Sequence, residues 1–399
     1  MQLVEQHVIK QADPRYETID QAAFASKNLY NAANYLVRQS FIFQGKYLGY
    51  AEVFHLIKHM PVYQALPRKV SNCILRLLDK NWKAFFQAMK AWREDPGKFL
   101  GRPKLPKYKD KTRGRNILIY DIQALSKTGL RKGMIVPSQL GIEILTKQTN
   151  VDQVRIVPRG THYVVEVVYQ QEPQPAGVNP ELVAGIDIGV DNLATLTSNK
   201  VGFVPQIVNG RPLKSTNQYY NKRRAMLQSK LIKSNRYTSR QLARLTEKRN
   251  RRVKHYLHIA SCRIINLLVA EGIGTLVIGK NSNWKQGVNI GKCNNQNFVS
   301  IPHARFIDML TYKAKLVGIH VIVTEESYTS KCSFLDNEPI GKHEHYMGKR
   351  MKRGLFRASN GRHINADVNG SYNIMRKVVP DAFCKGIVGT AVYPVRLAV

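Results

Sequence analysis

Three apolar runs of strand length follow one another almost without pause at 182–190, 193–198 and 201–208, and a helix-like stretch at 302–316 separates a fourth run, 274–279, from a fifth, 319–326. Few architectures accept that order. Runs joined by tight turns pair antiparallel, whereas strand, helix and strand in succession close a parallel crossover. The second half of the chain therefore predicts a mixed sheet in an α/β domain, with long helices inserted between the third strand and the fourth.

That order is the one of an RNase H-like domain, and acids punctuate it. Asp187 lies in Gly-Ile-Asp-Ile-Gly-Val-Asp-Asn-Leu-Ala-Thr-Leu (185–196), Glu325 and Glu326 lie in Glu-Glu-Ser-Tyr-Thr-Ser-Lys (325–331), and Asp367 lies in Ile-Asn-Ala-Asp-Val-Asn-Gly-Ser-Tyr-Asn-Ile (364–374). Phosphodiester hydrolysis requires the attacking and leaving oxygens to be clamped by hard cations, and two Mg²⁺ or Mn²⁺ ions held by carboxylates from separate strands do this. Asp187 suits the first such role, since it follows an apolar strand and is flanked by glycines. Asp367 opens the last helix, a place where an acid is also a favourable cap. The run Thr-Leu-Val-Ile-Gly-Lys-Asn (275–281) should end in a third carboxylate, yet position 279 is Gly. Parallel neighbouring strands lie about 4.8 Å apart, so a Glu at the end of 319–326 reaches the space that an acid at 279 would fill. Side chains alternate along a strand, so one of Glu325 and Glu326 faces the site at most.

Charge narrows the partners. Lys and Arg outnumber Asp and Glu by 62 to 27, a formal charge of +35 spread over all 399 residues, and a polyanion such as nucleic acid is the natural counterweight. Arg223, Arg224, Arg251 and Arg252 belong to a dense run of cations in the helical insertion at 215–270. Arg102, Lys104 and Lys107 are interleaved with Tyr108 in a Gly- and Pro-punctuated loop, a pattern suited to phosphate contact with stacking on a base. No apolar run reaches the ~18 residues of a membrane span and the first residues do not read as a signal peptide, so the expectation is an intracellular protein with no membrane partner. The cysteines Cys73, Cys262, Cys293, Cys332 and Cys384 never form a Cys-x-x-Cys pair, so reduced thiols are expected, with neither a disulfide framework nor a structural zinc.

Ahead of the linker 172–177, residues 2–10 read as a strand and 18–95 as helices, with Ile74, Leu78, Trp82, Phe85, Met89 and Trp92 forming one apolar stripe that ends at Asp95-Pro96-Gly97. Short β-branched runs from 116 to 171 predict a small barrel completed by the first strand.

The motifs in this order resemble the TnpB family, the OrfB proteins of insertion-sequence transposons, which are RNA-guided nucleases related to type V CRISPR effectors. Gly185-Ile-Asp-Ile-Gly189, Tyr328-Thr-Ser-Lys331 and Asn365-Ala-Asp-Val-Asn-Gly-Ser-Tyr-Asn-Ile374 carry the resemblance, which covers nearly the whole chain. It implies an α+β multidomain fold: the first strand of a wedge-like β-barrel domain (1–17), a helical recognition domain (18–112), the rest of the wedge (113–178) and a split RuvC domain (179–399). It further implies a guide RNA from the transposon's right end, a double-stranded DNA target beside a short flanking motif, a monomer with RNA, and a cytoplasmic, nucleoid-associated protein of a prokaryote. Asp187 and Asp367 match the first and last catalytic acids. A branch of the family has a similar Ile-Gly-x-Asn-x-x-Trp-Lys-Gln segment, here ending at Trp284-Lys285-Gln286, and is consistent with an acid moved to Glu326. Between 329 and 363 many members carry a zinc ribbon; here only Cys332 remains, followed by Asp336, Glu338, His343, Glu344 and His345. The expectation is an RNA-guided endodeoxyribonuclease with Asp187, Glu326 and Asp367 holding two divalent ions. Two rivals are a nuclease-inactive, repressor-like RNA-guided binder and an RNase H-like DNA transposase.

Overall fold

The computed structural model describes residues 1–281, 289, 291–383 and 392–399; Trp284-Lys285-Gln286, Cys384 and the side chain of Cys293 lie outside the described residues. The chain forms two compact units, Met1–Gln171 and Glu172–Val399.

The first unit begins with β1 (Gln2–Lys10) and four helices, α1 (Tyr16–Gln44), α2 (Tyr50–Ile57), α3 (Pro61–Gln64) and α4 (Arg68–Glu94). It continues through β2 (Leu118–Asp121), α5 (Lys127–Arg131), β3 (Met134–Ile135), β4 (Ile144–Leu145), β5 (Val151–Pro158) and β6 (His162–Gln170). Ile74, Leu78, Trp82 and Met89 of the α4 stripe are buried, and the Trp82 indole donates to Asn34 Oδ1 at 3.0 Å. The helix stops where Asp95, ahead of Pro96, turns its carboxylate to the Gly97 amide at 3.0 Å. As the sequence predicts, β1 joins the later strands: it lies antiparallel to β6 in a sheet of order β1-β6-β5-β2. That sheet is open, and the expected barrel is not closed, because the outer strands β1 and β2 do not pair. Between β2 and β5 the chain supplies only a five-residue helix and two-residue strands that pair with each other, too little strand to bridge the edges.

In the second unit β7 (Asn179–Asp187), β8 (Asn192–Ser198) and β9 (Gln206–Asn209) form an antiparallel meander, followed by the helices α6 (Arg211–Lys233) and α7 (Arg240–Ala270). Then come β10 (Ile273–Gly279), α8 (Lys292–Ser300), α9 (His303–Leu316) and β11 (His320–Thr324), with β10 parallel to both β7 and β11. The ribbon strands β12 (Lys349–Lys352), β13 (Leu355–Arg357) and β14 (His363–Ile364) precede α10 (Ala366–Val378), and β15 (Val395–Arg396) lies parallel to β9. The order β11-β10-β7-β8-β9-β15 is the mixed sheet expected. Its third strand starts later than the 201–208 run because Gly202, at φ 79°, turns the chain and leaves Val201 exposed.

Strand alternation sorts the sheet's side chains between two cores. Ala184 and Ile186 of β7 and Leu276 and Ile278 of β10 pack with α7 and α9, while Val183 and Val277 pack with α10. Helix α10 is buried on nearly every side, since the segment 329–364 covers its far face. Asn369 accepts from the Phe334 amide and donates to Cys332 O, both at 2.9 Å, Asn373 donates to Thr329 O and Cys332 O, and the Phe334 and Tyr372 rings stack at 4.3 Å. Within that segment buried Glu338 accepts from the Ser333 amide at 2.6 Å and the Met347 amide at 2.9 Å, and Asp336 accepts from Ser359. Those two carboxylates tie the loops to each other by hydrogen bonds.

Candidate active site

The face of the sheet that meets α10 also carries the acids. Continuing the alternation from Val183 through Gly185 puts Asp187 on that face, and continuing from Val277 puts position 279 there too. The contacts agree: a Cβ built on Gly279 would stand 2.6 Å from Ile374 Cδ1 of α10 and 2.8 Å from Glu326 Oε2. The missing carboxylate's place is thus filled by the Glu326 side chain, arriving from the neighbouring parallel strand whose Thr324 is paired with Gly279. Strand β11 stops at Thr324, so Glu326 stands on the loop beyond it. Asn281 clamps this loop from both sides, accepting from the Glu326 amide at 3.1 Å and donating to Glu326 Oε1 at 3.2 Å. Glu326 Oε2 is buried with no hydrogen-bond partner, and burial pushes the carboxyl up to about 7. Glu325 is exposed and accepts from Ser327 Oγ at 2.8 Å.

Asp187 keeps a water-facing edge while protein surrounds the rest of it, and desolvation raises its pKa well above the ordinary carboxylate range. The negative charges of Asp367 and then Glu326 raise it further, against an opposing pull from Arg350. The close approach of α10 depends on Gly370, where a Cβ would meet Asp187 Oδ2 at 2.9 Å. Asp367 does not cap its helix. Asn365 takes that part, accepting from the Asp367 and Val368 amides at 3.0 and 3.2 Å, and leaves the Asp367 carboxylate free to turn to the sheet. There its Oδ2 accepts from Asn192 Nδ2 at 2.6 Å and its Oδ1 lies 3.7 Å from Arg350 Nη2.

Asp187 and Asp367 line a cavity of about 290 Å³ together with Asp191, Asn192, Arg211, Arg350 and Arg353, and Asp191 pairs with Arg353 at 2.5 Å and Lys214 at 3.2 Å. Glu326 is not in the lining; it lies against Gly279 of β10, near enough for its charge to act on Asp187. The three acids do not form a closed ligand cage, and no group of three or more His, Cys, Asp or Glu among the described residues does. Their chemistry still fits hard divalent cations: burial pushes the carboxyls of Asp187 and Glu326 up, neighbouring negative charge pushes Asp187 further, and one buried oxygen lacks any donor. Asn192, Asn281, Arg350 and Arg353 all stand inside segments read for other reasons, namely the Asp187 motif, the acid's absence at 279 and the ribbon remnant, and none was singled out.

The remaining sequence candidates are distributed over both units. Arg223, Arg224, Arg251 and Arg252 are exposed on α6 and α7, with Arg251 3.3 Å from Glu247, whereas Arg249 turns inward to Asn217 Oδ1 at 2.7 Å. Helix α7 explains the split, since its buried positions begin at Val253 and its basic start lies bare. In the first unit Arg102, Lys104 and Lys107 rim a cavity, while Tyr108, exposed, has the Arg38 guanidinium over its ring at 5.1 Å. No described helix is long and apolar enough to cross a membrane, and the described cysteines Cys73, Cys262 and Cys332 are free thiols.

Two family models match the chain, OrfB_IS605, described as a probable transposase, over 166–285 and the Cas12f1-like TNB domain over 303–374. A TnpB-like protein, ORF457 of the Acidianus two-tailed virus, is 23% identical over 395 residues, covering 89% of this chain and 82% of that protein. Among solved structures, the protein of a Cas12f1–sgRNA–target DNA complex superposes with a TM-score of 0.57 at 15% identity, covering 90% of this chain and 82% of that one. At that identity the likeness speaks for the fold.

Proposed function

Because this chain is a member of the TnpB family, we propose that it is an RNA-guided DNA endonuclease that cuts double-stranded DNA at one RuvC site made of Asp187, Glu326 and Asp367. One observation carries the reading: the Glu326 carboxylate fills the space above Gly279, beside Asp187, with an oxygen that nothing else uses. A chain that had merely lost its acid at 279 has no reason to bury another there unsatisfied.

Asp187, Glu326 and Asp367 would hold the divalent ions, which supply the clamp on the attacking and leaving oxygens of the phosphodiester. The chain's own residues set the stage. Asn281 fixes the Glu326 carboxylate by one oxygen and leaves the other for the site. Asn192 orients Asp367, and Arg211, Arg350 and Arg353 present cations to a phosphate entering the cavity. All three acids must be ionised to bind cations, so proton release from Glu326 and Asp187 accompanies metal uptake. Sequence choice would fall to base pairing with a guide RNA from the transposon's right end, next to a short flanking motif in the DNA. The basic faces of α6 and α7 would follow the nucleic-acid backbone.

The test is plasmid cleavage with Mg²⁺ by protein co-expressed with the RNA encoded around the 3′ end of its gene. Loss of cutting in Asp187→Ala and Glu326→Ala, with cutting kept in Glu325→Ala, supports the reading. Guide-dependent binding without cutting by the unmodified protein replaces it with an RNA-guided binder, and strand transfer without RNA replaces it with a transposase.

A further inference from the structure

A second cavity, of about 730 Å³, opens within the first unit between α1, α4 and the loop that carries Arg102, Lys104 and Lys107. Its size falls within the range of small-molecule sites. Its inner wall is aromatic: Phe41 and Phe86 meet edge to face at 5.5 Å, and Phe85 lies 5.4 Å from Phe86 and 5.9 Å from Trp82. These rings hold one another in place, so a planar ligand would find its platform already set. The rim is cationic. Lys90 and Arg93 from α4 join Arg102, Lys104 and Lys107, all five are exposed, no carboxylate lines the cavity, and none of the five is in an ion pair among the described residues.

We propose that this cavity seats one unstacked nucleobase on the Phe85 and Phe86 rings, with the phosphates on either side of that nucleotide held by the rim cations. A single carboxylate would leave most of the five cations unanswered, whereas a nucleic-acid strand brings a negative charge at every step. An apolar floor within a ring of separate positive charges is also the arrangement that binds single strands through their bases as well as their backbone. Tyr108 is not the platform: its ring is covered by Arg38 and lies outside the lining, so the stacking surface comes from the end of the α4 stripe. The proposal rests on the nucleic-acid-binding part of the function above and is independent of whether the RuvC site cuts. The base can come from RNA or from DNA, and the chemistry of recognition is the same.

The experiment uses the full chain with its co-expressed RNA, carrying 5-iodouridine, and in a separate arm a target strand carrying 5-iododeoxyuridine. Crosslinks mapped to Phe85 or Phe86 are expected, and the arm that yields them names the source. Alongside, binding is compared for a single strand and the same strand with abasic sites. Phe85→Leu, which keeps the apolar volume, should weaken base-bearing strands about tenfold and leave abasic strands unchanged. Phe85→Tyr should bind like the unmodified protein, and Arg102→Gln with Lys104→Gln should weaken both strands alike. Crosslinks only elsewhere, or no base preference to lose, overturns the cavity proposal. Binding that survives in Asp187→Ala while cleavage is absent in every form refutes the nuclease reading and leaves the cavity standing; absence of any nucleic-acid binding removes both.

Discussion

Glu338 is a buried glutamate of the second unit and Glu326 a half-buried one with a buried Oε2, and the two use their burial for different ends. Glu338 spends both oxygens on backbone amides, of Ser333 and Met347, and so holds two loops together. Glu326 spends one oxygen on Asn281 and keeps the other, partnerless, in the space above Gly279. A satisfied carboxylate builds structure; an unsatisfied one, held at a cost in burial, is poised for a ligand. The contrast is open to attack at several points.

The largest separation should come from removing each carboxylate. Glu326→Gln is expected to lower cleavage about a thousandfold, roughly 4 kcal/mol on the barrier, with no loss in melting temperature. Glu338→Ala leaves one buried and one half-buried amide unpaired and should cost about 2 kcal/mol, read as early unfolding and new protease sites in 329–364. Equal loss of stability in both variants would erase the distinction. A smaller effect should follow from placing an acid at position 279 itself. Gly279→Asp crowds Glu326 and Ile374 and is expected to destabilise by about 1–3 kcal/mol, but combined with Glu326→Ala it should recover cleavage about tenfold over Glu326→Ala alone. Failure of the pair to recover any cutting would mean that the two positions do not share one function.

The pH dependence follows from the Glu326 carboxyl, raised from 4.5 to about 7 by burial. Between those values the folded protein binds more protons than the unfolded, so metal-free stability falls as pH rises through the window, and the loss is complete above it. Divalent cations compensate only the ionised form. Mg²⁺ should therefore raise the melting temperature more at about pH 8 than at about pH 5, and the difference should shrink in Glu326→Gln, leaving the part that Asp187 contributes. The smallest effect is expected for Asn281→Ala, which frees the clamp and should lower cleavage about tenfold and raise the Mg²⁺ concentration needed for half-maximal cutting, measured by metal titration of the cutting rate.

Periodicity made the sheet order, the α4 stripe and the place of Asp187 after an apolar strand legible, because alternation and helical repeat are local properties of the chain. That a Glu beyond the neighbouring strand reaches the space beside 279 was legible as well, through the spacing of parallel strands. Asn192, Asn281 and Arg353 were not, since each acts through a contact between segments far apart in sequence, and amides and arginines are common everywhere. The barrel was overread from β-branched runs that proved too short to close, and the cavity lined by Phe85 was hidden inside a stripe that reads as ordinary core. Ribbon strands β12 to β14 escaped because Lys349–Lys352 is exposed along its whole length and has no apolar alternation to betray it.

The fit between Gly279 and Glu326 also bears on descent. The two positions are complementary in volume, so they change as a unit: a chain on the way between the two arrangements carries either both acids, crowded to within 2.8 Å of a shared space, or neither. A column-by-column comparison sees only the gap at 279 and would score such a chain as disarmed. What the fold provides is a carboxylate's location in space, reached here from the loop beyond the neighbouring strand while position 279 itself carries none.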